Sequence, residues 1–291
     1  MNCSKCKTEI PDGSKFCNHC GAKIEDEGKT CPNPECFRTK LPFEALFCPD
    51  CGKKLGSGLA SFTETVNGVS FDMIAIEGGE FFMGSPPNEK GRSFNEFQHK
   101  VTLSDYFLSE TLVTQALWEV VMGKNRSYFK GDNNPVDSIS WKYSQIFLER
   151  LKQLTERSYQ LPTEAQWEYA AKGGSFSKGF LYSGSNNLDA VGWYIDNCNN
   201  KTNDVRSMLP NELGLFDMSG NVWEWCQDYY GEYDRNFPTN PQGPNFGTLR
   251  VFRGGCWSRN PRDCRNSNRC AGDPGLSRST HGFRLALNLN Q

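Results

Sequence analysis

The chain has 291 residues, which is enough for one large domain and a small appendage. Its net charge of −2 gives no reason to expect nucleic acid or an anionic membrane as a partner. No apolar run approaches the roughly 18 residues that cross a membrane, and the first ten residues lack the apolar core of a secretory signal. A cytoplasmic location without a membrane partner is therefore expected.

Cysteine dominates the first 55 residues. Eight of the 13 cysteines lie here in closely spaced pairs, a pattern typical of thiolate metal ligands in a reducing compartment. Because Zn²⁺ binds four thiolates as a tetrahedron, the spacing predicts two zinc ribbons, over 1–24 and 28–55, each with a structural zinc ion. The expected ligands are Cys3, Cys6, Cys17 and Cys20 in the first ribbon, and Cys31, Cys36, Cys48 and Cys51 in the second. Four disulfides are the alternative, but they would need an oxidising compartment.

The charge of this segment argues against a phosphate-binding role. Residues 1–55 contain nine Lys and Arg against eight Asp and Glu, and two tetrathiolate zinc centres would leave the segment negatively charged. A protein partner for the ribbons is therefore expected in preference to nucleic acid. A mere N-terminal appendage is the alternative.

The large domain is expected to cover 69–291, after a small and polar linker at 56–68. Apolar and turn residues alternate in FDMIAIEGGEFFMGS, which predicts a hairpin with Gly78 and Gly79 in its turn. A helix is predicted from Thr114, and a second over 141–155. The apolar face of this second helix is expected to carry Ile146, Phe147, Leu151 and Leu154.

A third helix is predicted where Thr163 and Gln166 have the spacing of a capping box. Beyond Gly173 the chain has little regular pattern, and long loops of this kind are usually functional or stabilised by metal. Large aromatic side chains are expected to form a core beneath these loops. The residues predicted for this role are Trp118, Trp167, Trp223 and Trp225.

Six motifs occur in order between about residue 70 and residue 288: IEGGEFFMGS, NNPVDSISW, QLPTEAQWEYAAKGG, GLFDMSGNVWEW, RVFRGG-W and GFRLAL. Together they closely resemble the formylglycine-generating-enzyme (sulfatase-modifying factor) superfamily, over about three-quarters of the chain. The resemblance implies an α+β domain with a C-type-lectin-like fold. It also implies a short antiparallel sheet, two flanking helices and much irregular structure.

Members with the eponymous activity oxidise a substrate cysteine to formylglycine with O2 and copper. The resemblance implies a Cu(I) ion held by two cysteines spaced C-x4-C. Cys264 stands at the second position, but the first falls on Arg259, whose guanidinium cannot ligate a metal. Copper is therefore not expected, and we expect a binding protein rather than an enzyme. The alternative is a copper-dependent formylglycine-generating oxidase with Cys264 as its catalytic residue and Cys256 or Cys270 completing the site.

The segment 258–281 lies between two expected strands and contains no Lys, Glu, Gln, Met or Trp. It resembles the variable segment of targets of diversity-generating retroelements, in which changes at adenines rewrite a lectin-fold binding face. The expected ligand contacts are Ser258, Arg259, Asn260, Asp263, Asn266, Asn268, Cys270, Ala271, Gly272, Asp273, Leu276, Ser277, Arg278, Ser279, Thr280 and His281. The expected fixed frame is Arg253, Gly254, Gly255, Trp257, Gly282, Phe283 and Arg284. A protein, peptide or carbohydrate ligand would suit this surface, and an ordinary polar loop is the alternative.

The family resemblance also implies a structural calcium ion. Its ligands would be the side chains of Asp217 and Glu224 and the carbonyls of Gly220 and Val222. The alternative is a carboxylate pair that accepts hydrogen bonds from turn amides.

Overall fold

A computed structural model of the protein describes residues 36, 48–51, 59–234, 236 and 238–289. The chain divides into two compact units, 1–58 and 59–291. The strands of the second unit are β1 (Phe62–Val66), β2 (Val69–Ile76), β3 (Gly79–Met83), β4 (His99–Leu103), β5 (Tyr106–Ser109), β6 (Trp223–Tyr229), β7 (Arg250–Arg253), β8 (Arg269–Gly272), β9 (His281–Gly282) and β10 (Ala286–Asn288). Its α-helices are α1 (Gln115–Met122), α2 (Trp141–Thr155) and α3 (Glu164–Ala171). No helix among the described residues is long and apolar enough to cross a membrane.

The strands form three sheets. One has the order β1-β2-β5-β10 and is antiparallel throughout, and β3 pairs with β4 in a separate two-stranded ribbon. The third has the order β8-β7-β6-β9, in which β6 and β9 run parallel. This last sheet holds both ends of the segment 258–281, so it positions the candidate site. The mixture of short sheets, helices and long irregular stretches is the α+β architecture that the sequence predicted.

Two predictions about the start of the domain are wrong. The expected linker at 56–68 contains β1, which turns into β2 through Asn67 and Gly68, both with positive φ. The expected hairpin around Gly78 and Gly79 does not form, because β2 pairs with β1 and β5 while β3 pairs with β4. A Cβ atom at Gly78 would lie 2.2 Å from the carbonyl oxygen of Leu103, so this glycine permits a close backbone approach between sheets.

The helices begin where the sequence predicted. The hydroxyls of Thr114 and Ser140 cap α1 and α2, and α3 opens with the complete capping box of Thr163 and Gln166. The predicted apolar face of α2 is partly wrong, since Ile146 and Leu154 are exposed. The buried face consists of Ser144, Phe147, Leu148 and Leu151.

Aromatic side chains form a large part of the core. Trp118 stacks on Phe147 at 5.3 Å between ring centroids, and Trp225 meets the edge of Phe252 at 5.2 Å. All four tryptophans predicted to be core residues are at least 97% buried, and every residue of α3 is buried as well. The four tryptophans all lie in regular elements, Trp118 in α1, Trp167 in α3, and Trp223 and Trp225 in β6.

Candidate functional site

The segment 258–281 leaves β7 through a turn that only glycine can make. Gly254 and Gly255 have φ of 93° and 77°, in the left-handed region. A Cβ atom at Gly255 would lie 2.5 Å from the sulfur of Cys264, so the turn packs closely against the 3₁₀ turn that contains Cys264. The chain then forms a short 3₁₀ turn at Pro261–Cys264, strand β8 and finally β9.

Burial divides the predicted ligand contacts into two groups. Arg259, Asn260, Asp273, Ser277 and Arg278 are exposed. Ser258, Asp263, Cys270, Ala271, Gly272, Leu276, Ser279 and Thr280 are half-buried. This group of 13 residues has side-chain surface that a ligand could reach.

The other three predicted contacts, Asn266, Asn268 and His281, are buried. The prediction that Asn266 and Asn268 reach the surface is therefore wrong, whereas His281 lines the cleft described below. The side-chain amides of Asn266 and Asn268 donate to the carbonyls of Phe180 and Asp263, at 3.1 and 2.9 Å. His281 packs between the rings of Trp225 and Phe252. In the protein alone, hydrogen bonds to backbone carbonyls hold the side chains of Asn266 and Asn268 in place, and ring packing holds His281.

The reachable residues surround a cleft of about 660 Å³ beside β8 and β9. Its lining residues are Trp223, Phe252, Trp257, Ser258, Arg259, Cys270, Ala271, Leu276, Arg278, Ser279, Thr280 and His281. Eight of the 13 reachable predicted contacts belong to this lining. We refer to it below as the 258–281 cleft.

The indole of Trp257, a predicted frame residue, fixes one side of the 258–281 cleft. Its Nε1 donates to the carbonyl of Ser279 at 3.0 Å, and its ring meets Phe129 edge-on at 5.4 Å between centroids. Its backbone carbonyl accepts a hydrogen bond from the thiol of Cys198. These contacts hold both ends of the segment around one rigid aromatic side chain.

Two arginines inside the segment have a role that sequence reasoning missed. Arg265 is buried and pairs with Glu89 and with Glu96, the latter at 2.7 Å. Arg269 is buried and pairs with Glu164 at 2.6 Å, while its guanidinium lies 3.9 Å from the ring centroid of Tyr233. These pairs tie the segment to the rest of the domain through charge where apolar side chains are lacking.

Two frame arginines are buried in the same way. Arg253 pairs with Glu164 at 3.1 Å and with Glu168, and Arg284 forks onto both oxygens of Glu224, at 2.6 and 3.0 Å. A bidentate guanidinium fixes orientation as well as charge. These contacts support the predicted role of Arg253 and Arg284 as a fixed support. Glu164 and Glu168 are four residues apart, which places both carboxylates on one face of α3. This spacing was the sequence signal for a shared arginine partner.

The cysteines of the segment lie in apolar surroundings. Cys264 is fully buried among Tyr182, Leu188, Val191 and Tyr194. Burial raises the pKa of Cys256 to about 11, and burial together with nearby Cys256 raises the pKa of Cys264 well above its usual value. The pKa of Cys270 is also raised by burial. Arg259 is exposed and lines the 258–281 cleft, whereas Cys264 does not belong to that lining.

The two carboxylates among the predicted calcium ligands, Asp217 and Glu224, already have protein partners. One oxygen of Asp217 accepts the N–H of Arg206 at 3.0 Å, and the other lies 3.4 Å from the side-chain nitrogen of Asn221. Both oxygens of Glu224 face Arg284. Calcium at these positions stays a prediction, and Glu224 would have to share its oxygens with Arg284.

Three of the predicted zinc ligands fall within the described residues. The sulfurs of Cys36, Cys48 and Cys51 lie within 4.8 Å of one another, and Cys36 and Cys48 are 3.6 Å apart. Convergent thiolates are the donors that Zn²⁺ prefers, so these side chains fit a zinc ion. Cys3, Cys6, Cys17, Cys20 and Cys31 lie outside the described residues.

The short sheets, the buried aromatic core and the long segment between β7 and β9 define a C-type-lectin-like protein of the formylglycine-generating-enzyme type. Residues 61–289 match the model of the sulfatase-modifying factor enzyme 1-like domain, and the chain belongs to this family. Residues 3–52 match the model of the double zinc ribbon. The sequence predicted both matches.

Individual relatives cover different shares of the chain. The chaperone protein LppX of Paenibacillus barcinonensis is 33% identical over 240 residues, 65% of this chain and 79% of the relative. The formylglycine-generating enzyme of Streptomyces coelicolor is 33% identical over 195 residues, 60% of this chain and 59% of the enzyme. The match to the serine/threonine-protein kinase pkn1 of Chlamydia pneumoniae is 32% identical and covers 75% of this chain, but 38% of the kinase's length.

A solved structure extends the likeness to three dimensions. Treponema denticola variable protein 1 is 31% identical, with a TM-score of 0.72. The match covers 79% of this chain and 99% of that protein. The variable protein therefore corresponds to the second unit of this chain.

Proposed function

We propose that the protein is a ligand-binding protein whose recognition surface is the 258–281 cleft. The observation that carries this proposal is the division of the segment by burial. Of the 16 residues predicted to be exchangeable, 13 reach the surface and eight of these line the cleft. The frame residues Arg253, Gly254, Gly255, Gly282, Phe283 and Arg284 are buried. A fixed support under an adaptable surface is the arrangement that recognition by loops requires.

The same arrangement supports a proposal that the segment is diversified by a retroelement. The likeness to a protein named a variable protein supports this proposal, as does the amino-acid usage of 258–281. Substitution at the exposed positions would leave the buried arginine pairs intact. The neighbouring DNA should then contain a near-copy of the 3′ end that differs only at adenines, together with a reverse-transcriptase gene. Finding neither would leave an ordinary binding domain.

Ligand binding is tested by screening the purified full chain on a glycan array and a peptide array. Replacing Arg259 and Arg278 with serine removes two charges from the cleft and should abolish the signals that depend on it. The matched control replaces Arg150 and Lys152 with serine, since both are exposed on α2 outside the cleft lining. Signals that are equal in the two double variants would contradict a binding role for the cleft.

A copper-dependent formylglycine-generating oxidase is the second candidate, and the identity with the Streptomyces coelicolor enzyme favours it. The burial of Cys264 and Cys256 weighs against it, because burial disfavours the thiolate that Cu(I) needs. The test is a Cu(I) titration of the reduced protein, followed by incubation with a cysteine-containing peptide and O2. Tight Cu(I) binding and peptide oxidation, both lost in Cys264→Ala but kept in Cys198→Ala, would establish the enzyme.

For the first unit we propose two structural zinc ions and a role in docking another protein, in the cytoplasm. The match to a double zinc ribbon and the convergence of Cys36, Cys48 and Cys51 support the metal. The negative charge of the zinc-loaded segment supports a protein rather than a nucleic acid as partner.

A further inference from the structure

The 258–281 cleft has aromatic walls. Trp223 and Phe252 are almost fully buried, with their ring centroids 5.1 Å apart, and both contribute to the lining. Half-buried Trp257 and Leu276 complete the apolar part. Aromatic walls of this kind accept a flat apolar group and contribute stacking energy beyond the area buried.

The charge in the cleft is unbalanced. Arg259 and Arg278 line it, and neither forms a salt bridge with another described residue. The neighbouring arginines behave differently, because Arg253, Arg265, Arg269 and Arg284 are each buried against a carboxylate. The two unpaired guanidinium groups therefore give the cleft a positive potential that an anionic ligand would neutralise.

A buried polar atom at the cleft also lacks a partner. His281 lines the cleft but is 4% exposed, and its Nε2 has no hydrogen-bond partner among the described residues. Its Nδ1 lies 3.0 Å from the hydroxyl of Thr280, and Trp225 and Phe252 pack against its ring. Burial, aided by the charges of Arg278 and Arg259, lowers the pKa of His281 to about 3, so the ring is neutral at physiological pH. An unmet polar atom in an apolar wall costs free energy that a ligand hydroxyl could recover.

We infer that the cleft binds an acidic peptide segment of a partner protein, with a tyrosine of the peptide packed against the apolar part of the lining. The acidic neighbours of the tyrosine pair with Arg259 and Arg278, and its hydroxyl hydrogen-bonds to Nε2 of His281. This inference rests on the proposed binding function and names the ligand class. A neutral sugar would leave both arginine charges uncompensated, so the structure favours the acidic peptide.

The test is a selection of random 12-residue peptides displayed on phage against the immobilised full chain. We expect enriched peptides to be net negative and to share a tyrosine flanked by Asp or Glu. One enriched peptide is then synthesised, together with a version carrying Phe for Tyr, and the affinities are measured by calorimetry. Arg259→Ser with Arg278→Ser should weaken binding at least tenfold, while Arg150→Ser with Lys152→Ser should leave it unchanged.

The role of His281 is tested by a double-mutant cycle between protein and peptide. Loss of the peptide hydroxyl should weaken binding about five- to tenfold in the wild type and leave it unchanged in His281→Phe. If His281→Phe does not fold, the wild-type comparison still decides against the inference when the two peptides bind equally, because the hydroxyl then contributes nothing.

The outcomes separate the inference from the function on which it rests. Enriched peptides without acidic residues or without tyrosine overturn the inference. A glycan signal that requires Arg259 and Arg278, with no peptide enrichment, overturns the inference and leaves the proposed function standing. Failure of both peptides and glycans to bind through the cleft overturns both.

Discussion

At the scale of single residues, the domain contains charged side chains in its buried interior, where apolar side chains would be expected. Glu168 is completely buried, and its carboxylate accepts from Lys172 at 2.6 Å, from the backbone N–H of Gly84 at 2.7 Å and from Arg253. The charges of Lys172 and Arg253 help to hold the pKa of Glu168 below its usual value despite burial, which opposes the shift. Buried pairs of this kind add little net stability, but removing one partner leaves the other uncompensated.

Glu168→Gln is therefore expected to destabilise the domain by about 3 kcal/mol, because it leaves Arg253 buried without its full partner. For a domain of this size the melting temperature should fall by roughly 6–12 °C, measured by scanning calorimetry. The control is Glu80→Gln, whose ion pair with Lys100 is exposed and contributes less than about 1 kcal/mol. Equal losses in the two variants would contradict a special role for the buried network.

Asp228 predicts a pH dependence of stability. Burial, and then the charge of Glu164, raises its pKa from 3.8 to about 8, although Arg269 opposes the shift. Between these two pH values the folded chain holds a proton that the unfolded chain releases, so this contribution to stability falls as the pH rises from about 4 to about 8. Asp228→Asn removes the ionisation while keeping an oxygen for the backbone N–H of Glu164.

The stability of Asp228→Asn relative to the wild type should therefore increase by up to about 6 kcal/mol across this pH range and stay constant above it. Urea denaturation at a series of pH values measures the difference. A difference that does not change between pH 4 and pH 8 would show that Asp228 titrates normally.

At the scale of elements, the turn after β7 decides where the 258–281 segment lies. Gly255→Ala should destabilise the domain by roughly 2–4 kcal/mol, because it combines a left-handed φ with a Cβ atom 2.5 Å from the sulfur of Cys264. Gly214→Ala is the matched control, since Gly214 has a φ of 80° and no atom within 4 Å of its added Cβ. The control should lose about 1 kcal/mol, from backbone strain alone.

Both glycine variants are compared by urea denaturation and by binding of a ligand found in the array screens. We expect Gly255→Ala to lose binding even where it is folded, because the turn holds the segment that forms the cleft. A folded Gly255→Ala protein with unchanged affinity would show that the cleft does not depend on the conformation of this turn.

At the scale of the whole molecule, the two units are expected to unfold independently. Zinc ribbons generally obtain their folding free energy from metal ligation, and residues 3–52 match a double zinc ribbon. The unit from 59 onwards has extensive apolar clusters of its own. Chelation of the full chain should release two zinc ions and abolish one calorimetric transition, with the melting temperature of the second unit unchanged. Cys48→Ser should release one zinc ion with the same result. A fall in the second transition after chelation would show that the units stabilise one another.

The elements with local signals were predictable from the sequence. The capping box at Thr163 and the cap at Thr114 predict the start of each helix to within one turn. The large apolar surface of each tryptophan predicts that it is buried. The pairing of β2 and β3 was not predictable, because the glycines at 78 and 79 suit both a hairpin turn and a close approach between sheets. Likewise α2 was placed correctly, but Ile146 and Leu154 face solvent because the core reaches only one side of the helix.

The sequence by itself determined the family, the α+β fold and the cysteine pairs of the ribbons, because each depends on motifs and spacings that are written along the chain. Only the tertiary structure decided which residues of 258–281 reach the surface. All four arginines lie in the same polar segment, and nothing in its composition separates them. Arg265 and Arg269 pair with carboxylates from distant parts of the chain, whereas Arg259 and Arg278 line the cleft without such a partner among the described residues. Burial and charge pairing depend on contacts between residues far apart in sequence, so local pattern could not distinguish the buried arginines from the exposed ones.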